Sequence, residues 1–94
     1  MYAGTNDFKS LDVTQNINLK KLDLIYNKLT EIDLSNNIQL TYLNFTNGSS
    51  LANSKLTTID ISKNTLLQEL YLQGNLLSTI DVSNNINLTK LLIP

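Results

Sequence analysis

The chain of 94 residues contains neither cysteine nor histidine. That absence removes disulfides, thiol nucleophiles, imidazole general bases and the usual zinc sites. Charge is also scarce. The formal net charge is -1, and the lysines are scattered instead of gathered into a run or stripe, which argues against nucleic acid or an anionic membrane as a partner. No stretch approaches the roughly 20 apolar residues of a membrane helix, so membrane insertion is not expected. Met1-Tyr2-Ala3-Gly4 lacks the basic and apolar regions of a signal peptide, so the chain reads as either intracellular or trimmed of an export signal. The length permits one domain, and a globular chain of this size buries only a modest share of its surface. A repeat stack escapes that limit by sharing its core between neighbours.

What is present is a repeat. Triplets in which two apolar residues flank one other residue occur at Leu11-Asp12-Val13, Leu22-Asp23-Leu24, Ile32-Asp33-Leu34, Leu43-Asn44-Phe45, Ile59-Asp60-Ile61, Leu70-Tyr71-Leu72, Ile80-Asp81-Val82 and Leu91-Leu92-Ile93. They form two alternating series. One starts at Leu11, Ile32, Ile59 and Ile80, the other at Leu22, Leu43, Leu70 and Leu91, and both advance by 21, 27 and 21 residues. Two independent series sharing one period and one six-residue slip indicate a solenoid.

Leu19, Leu22, Leu24, Asn27 and Leu29 fit the pattern LxxLxLxxNxL, and Leu67, Leu70, Leu72, Asn75 and Leu77 fit it again. The remaining half of each repeat reads LTEIDLSNNIQL, LTTIDISKNTLL or LSTIDVSNNINL. This resembles the 21-residue leucine-rich repeats of bacterial surface proteins, internalin-like ones among them, over nearly the whole chain. The resemblance implies a leucine-rich repeat solenoid: a β-rich right-handed coil with short parallel strands and little or no α-helix. It implies an extracellular or cell-surface setting and a role in adhesion, recognition or scaffolding, with no ligand specified.

Alternation within each triplet points the outer residues inward and the middle one to solvent. Triplet starts lie 10 or 11 residues apart within a coil, which leaves no room for an ordinary helix of 10 to 12 residues. Two short parallel sheets are expected, one on each side of a flattened coil, with the LxxLxLxxN side the regular one and the IDL side partly turn or 3₁₀. Asn16, Asn37, Asn64 and Asn85 each follow a first-series triplet by three residues, and Asn6, Asn27 and Asn75 occupy the opposite corner. There the third coil offers Ser54 or Asn53 instead. Inward carboxamides can satisfy backbone groups that tight corners leave unpaired, so two structural asparagine ladders are expected. The six extra residues fall within 46–55, whose Asn47-Gly48 turn signal predicts a surface insertion loop.

The outward positions of the regular sheet are Lys21, Asp23, Tyr42, Asn44, Glu69, Tyr71, Lys90 and Leu92, and these are the candidate partner-binding residues. Tyr42 and Tyr71 stand diagonally on adjacent strands, about 7 to 8 Å apart, with Leu92 beside Tyr71. Exposed aromatics with an apolar neighbour suit the centre of a protein interface; cross-strand packing alone also accounts for them. On the other side Asp12, Asp33, Asp60 and Asp81 form one column. It is tolerable if solvated, bonded to hydroxyls such as Ser35, Ser62 and Ser83, or neutralised by a cation such as calcium. Without a cleft or a second catalytic residue type, paired carboxylates do not make a glycosidase, and no catalytic, cofactor-binding or metal residue is assigned. Residues 1–94 therefore read as a single stack of about four coils, part of a longer repeat protein or a unit that self-associates through uncapped ends. The expected activity is protein recognition through the regular sheet, the alternative a structural spacer or end-to-end scaffold, and neither is an enzyme.

Overall fold

A computed structural model describes residues 1–2, 4, 9–47 and 55–93. Among them there is no helix, and the regular structure is four three-residue strands: β1 (Lys21–Asp23), β2 (Tyr42–Asn44), β3 (Glu69–Tyr71) and β4 (Lys90–Leu92). They form one parallel sheet in the order β1-β2-β3-β4. Lys21 pairs with Tyr42, Tyr42 with Glu69, and Glu69 with Lys90, which is the register of the 21, 27 and 21 spacing. The six-residue slip is therefore absorbed outside the sheet. At the β1 edge the N-terminal segment adds one more rung: Tyr2 bridges Asp23, the Asp23 N–H donates to Met1 O at 2.8 Å, and the Met1 ammonium donates to Lys21 O at 2.6 Å.

The central residues of β1, β2 and β3 point into the core. Leu22, Leu43 and Leu70 are fully buried, and Leu24, Phe45 and Leu72 continue the same column at the strand ends. From the opposite side Val13, Leu34 and Ile61 meet them. Each fully buried aliphatic contributes about 1.5 to 3 kcal/mol of transfer free energy, so the stack is held by a core continuous from coil to coil.

The second sheet expected on the IDL side is not formed; no strand lies there among the described residues. The last residue of each first-series triplet instead opens a double turn. Asn16 N–H donates to Val13 O and Leu19 N–H to Asn16 O; the same pair of bonds recurs at Asn37, Asn64 and Asn85, all between 2.9 and 3.2 Å. The backbone groups that a strand would offer its neighbour are spent inside the coil. Adjacent coils are joined on this side by carboxamides. Asn37 Nδ2 donates to Val13 O and Asn16 O, Asn64 Nδ2 to Leu34 O and Asn37 O, and Asn85 Nδ2 to Ile61 O and Asn64 O.

Asn37, Asn64 and Asn85 are buried, whereas Asn16 is exposed. Asn16 enters the ladder through its backbone carbonyl and not as an inward side chain, because no described coil precedes it. At the opposite corner Asn27 Oδ1 accepts the Leu29 N–H at 2.8 Å, and Asn75 Nδ2 donates to Phe45 O and Leu72 O. Asn47 also meets this ladder: it is buried and its Nδ2 donates to Asn75 Oδ1 at 3.0 Å. The calls on Asn6, Ser54 and Asn53, and most of the loop at 46–55, lie outside the described residues.

The entry to that insertion also fixes a glycine. Gly74 has φ of 77°, and a Cβ there would lie 1.9 Å from Asn47 O. Lys55 Nζ donates to Gly74 O at 2.8 Å, tying the exit of the insertion to the same point.

Candidate functional site

The outward face of the sheet is a grid of two positions per strand, the first and third residues of each. It reads Lys21 and Asp23, Tyr42 and Asn44, Glu69 and Tyr71, Lys90 and Leu92. Its charges balance, and Lys90 pairs with Glu69 at 3.7 Å. At the centre the rings of Tyr42 and Tyr71 meet with centroids 5.6 Å apart and planes tilted by 49°. That separation and tilt lie within the favourable range for aromatic pairs. Leu92 stands beside Tyr71 and is 46% exposed.

Hydrogen bonds give the two phenols opposite polarity. Tyr71 Oη donates to Glu69 Oε1 at 2.7 Å, and because the carboxylate accepts its proton, the Tyr71 phenol is held above its ordinary pKa of 10.0. Asn44 is oriented by the backbone: its Oδ1 accepts the Thr46 N–H at 3.0 Å, so its Nδ2 turns to Tyr42 Oη, at 3.3 Å. The Tyr42 hydroxyl accepts that bond, and its own proton meets no protein acceptor among the described residues.

The bond between Asn44 and Thr46 belongs to a wider rule. In six of the eight triplets the middle side chain accepts the backbone N–H two residues on: Asp12 from Thr14, Asp23 from Ile25, Asp33 from Ser35, Asn44 from Thr46, Asp60 from Ser62 and Asp81 from Ser83. The exceptions are Tyr71 and Leu92, which carry no acceptor that can fold back. Two residues beyond Leu92 the sequence has Pro94, which has no N–H to bracket. Two residues beyond Tyr71 it has Gln73, whose N–H meets no protein acceptor among the described residues. The sequence contained this signal, an acceptor side chain at every middle position until Tyr71, but reading it required knowing where that acceptor turns.

The aspartate column uses its oxygens in the same way. Asp12, Asp33 and Asp60 also accept the hydroxyl of Thr14, Ser35 and Ser62, each at 2.6 Å. These hydroxyls, then the N–H groups, hold the three carboxyls below their ordinary value of 3.8, and Ser83 does the same for Asp81. Repulsion along the column acts in the opposite direction and is weaker; at Asp33 the charges of Asp12 and Asp60 are the smallest contributions. The spaces between coils are shallow grooves, one of them lined by Asp60, Ser62, Asp81 and Ser83. Among the described residues no group of three or more His, Cys, Asp or Glu stands where it could hold a metal ion. None of their helices is long and apolar enough to cross a membrane.

The chain is similar to the functional domain of InlJ from Listeria monocytogenes, a domain that includes a cysteine ladder. The likeness has a TM-score of 0.83 and 36% identity, covering 94% of this chain and 18% of that one. With the one parallel sheet and the absence of helix among the described residues, this supports an internalin-like leucine-rich repeat fold, the architecture of a bacterial surface protein. The present chain spans less than a fifth of the length of that protein, and having no cysteine it builds its ladders from asparagine. No family model matches the chain, and no curated protein matches it.

Proposed function

We propose that the chain is a protein-recognition module whose contact surface is the outward face of the sheet: Lys21, Asp23, Tyr42, Asn44, Glu69, Tyr71, Lys90 and Leu92. The observation that carries this reading is the Tyr42 and Tyr71 ring pair at 5.6 Å with Leu92 exposed beside it. A half-buried aromatic centre inside a rim of balanced charge has the anatomy of an interface core. The likeness to the InlJ functional domain supports a recognition role in general. Four strands at about 4.8 Å spacing span only about 15 Å across the stack, less than the roughly 800 Å² per partner of a standard interface, so affinity from this segment alone is modest.

The test is selection of binders from a displayed peptide and protein library, followed by affinity measurement with the Tyr42→Ala/Tyr71→Ala variant. A loss of more than tenfold, with a retained cooperative melt, is expected. Binders that hold the variant as tightly would contradict the assignment of the face. A structural spacer or end-assembling unit is the second reading, and an end-assembling unit would show a mass by light scattering that rises with concentration.

A further inference from the structure

Resting on the sheet face as the recognition surface, we infer that the face is built to receive a side-chain carboxamide, the asparagine or glutamine of a partner protein, at the third coil. Six triplets close their own N–H bracket with a side-chain oxygen, and the third-coil strand does not. Tyr71 occupies the position that Asp23 and Asn44 hold in the coils before it, so the N–H of the exposed Gln73 meets no acceptor among the described residues.

Coil two supplies the template. There Asn44, a carboxamide, joins two groups at once: its oxygen takes the Thr46 N–H and its NH₂ reaches Tyr42 Oη. Coil three presents the same two kinds of group without the carboxamide. Gln73 offers a backbone N–H, and Tyr71 Oη, having given its proton to Glu69, can only accept. A carboxamide carries one acceptor and two donors in a single plane, so it offers an acceptor to the one and a donor to the other. The Tyr42 hydroxyl, with its proton free, is a second donor to the same oxygen or to a neighbouring carbonyl.

Charge excludes the nearest competitor. A carboxylate would match the Gln73 N–H equally well, but it would approach the Glu69 carboxylate that already holds Tyr71. Lys90 stands 3.7 Å from that same oxygen of Glu69 and faces it as its ion-pair partner. A purely aliphatic side chain would leave the open N–H and the phenolic oxygen without partners once water is displaced, which costs free energy. The neutral, planar amide is the occupant that the polarity of the face fits.

The experiment is a ¹⁵N NMR titration of the full chain with N-acetylasparagine N′-methylamide, against the aspartate and leucine analogues. The Gln73 amide is expected to move downfield and saturate with the asparagine compound. Aspartate and leucine should give less than a third of that response, and the bracketed amides of Ile25 and Thr46 should stay in place. In Tyr71→Asn the internal bracket is restored: the Gln73 amide should begin downfield, cease to respond, and the melting temperature should hold or rise. Tyr71→Phe, which keeps the ring and the open N–H, guards against an uninformative misfolded variant and should retain a weakened response. Equal shifts with all three compounds would overturn the inference. So would ring resonances of Tyr42 and Tyr71 that move while Gln73 does not, a result that leaves the recognition face standing and removes only its carboxamide preference.

Discussion

The two sides of the coil start from the same triplet and the same bracket yet are joined to their neighbours by different chemistry. On the sheet side, backbone meets backbone: Leu24 N–H donates to Asn44 O, Phe45 N–H to Tyr71 O and Leu72 N–H to Leu92 O. On the aspartate side a double turn consumes the backbone, and the carboxamides of Asn37, Asn64 and Asn85 carry the connection. The outward residues differ as a result. Every middle residue of the aspartate side is spent on its own coil, whereas the sheet side breaks the rule at Tyr71 and Leu92. Conformity marks structure in this chain, and the departure from it falls on the surface we propose for a partner.

The comparison can be broken most sharply at Gly74, which Asn47 and Lys55 approach from either end of the insertion. Gly74→Ala combines a left-handed backbone with a Cβ driven into Asn47 O and should cost about 2 to 4 kcal/mol in chemical denaturation. A loss of a few tenths would mean that the Asn47 carbonyl can move aside.

Next in size is the ladder. Asn64→Ala removes two buried bonds, although Leu34 O and Asn37 O each keep a backbone donor, so about 1 to 3 kcal/mol is expected. Asn16→Ala, at an exposed position where the carboxamide meets no partner among the described residues, should fall within about 0.5 kcal/mol. Equal losses at Asn16 and Asn64 would refute the distinction between an inward rung and a backbone one.

The aspartate brackets sharpen the comparison through pH. Their folded pKa values are depressed, so the stability they contribute is fully present above 3.8 and is lost as pH falls through the lower folded values. The melting temperature should therefore drop on acidification below about pH 4. Replacing Asp12, Asp33, Asp60 and Asp81 together by Asn, which keeps an acceptor oxygen without a titrating proton, should flatten that drop. A variant as acid-sensitive as the parent would place the responsible carboxyls elsewhere.

Much of this was legible in the sequence. The two series gave each residue its column, and the observed register follows their spacing. Alternation correctly assigned Leu22, Leu43 and Leu70 to the core and Tyr42 and Tyr71 to one outward diagonal. It could not distinguish a strand from a bracketed turn, because both send alternate side chains to opposite faces. The discriminating feature was the double turn opening at Val13, Leu34, Ile61 and Val82, which depends on where carbonyls are consumed. Asn47 was missed as a ladder member because the insertion brings it to the corner two residues after Phe45, where the other coils use the third. The open N–H of Gln73 was equally hidden, since it is visible only as the one bracket that its own coil does not close.

The central claim, that every outward side chain of the aspartate column holds its own coil whereas Tyr71 and Leu92 on the sheet side do not, is tested most directly by two thermal melts run side by side. Asp33→Ala/Asp60→Ala should lower the melting temperature clearly more than Tyr42→Ala/Tyr71→Ala, even though the tyrosine pair removes far more side-chain volume. A tyrosine variant that melts lower than the aspartate variant would contradict it, turning the aromatic pair into packing and the bracket into decoration.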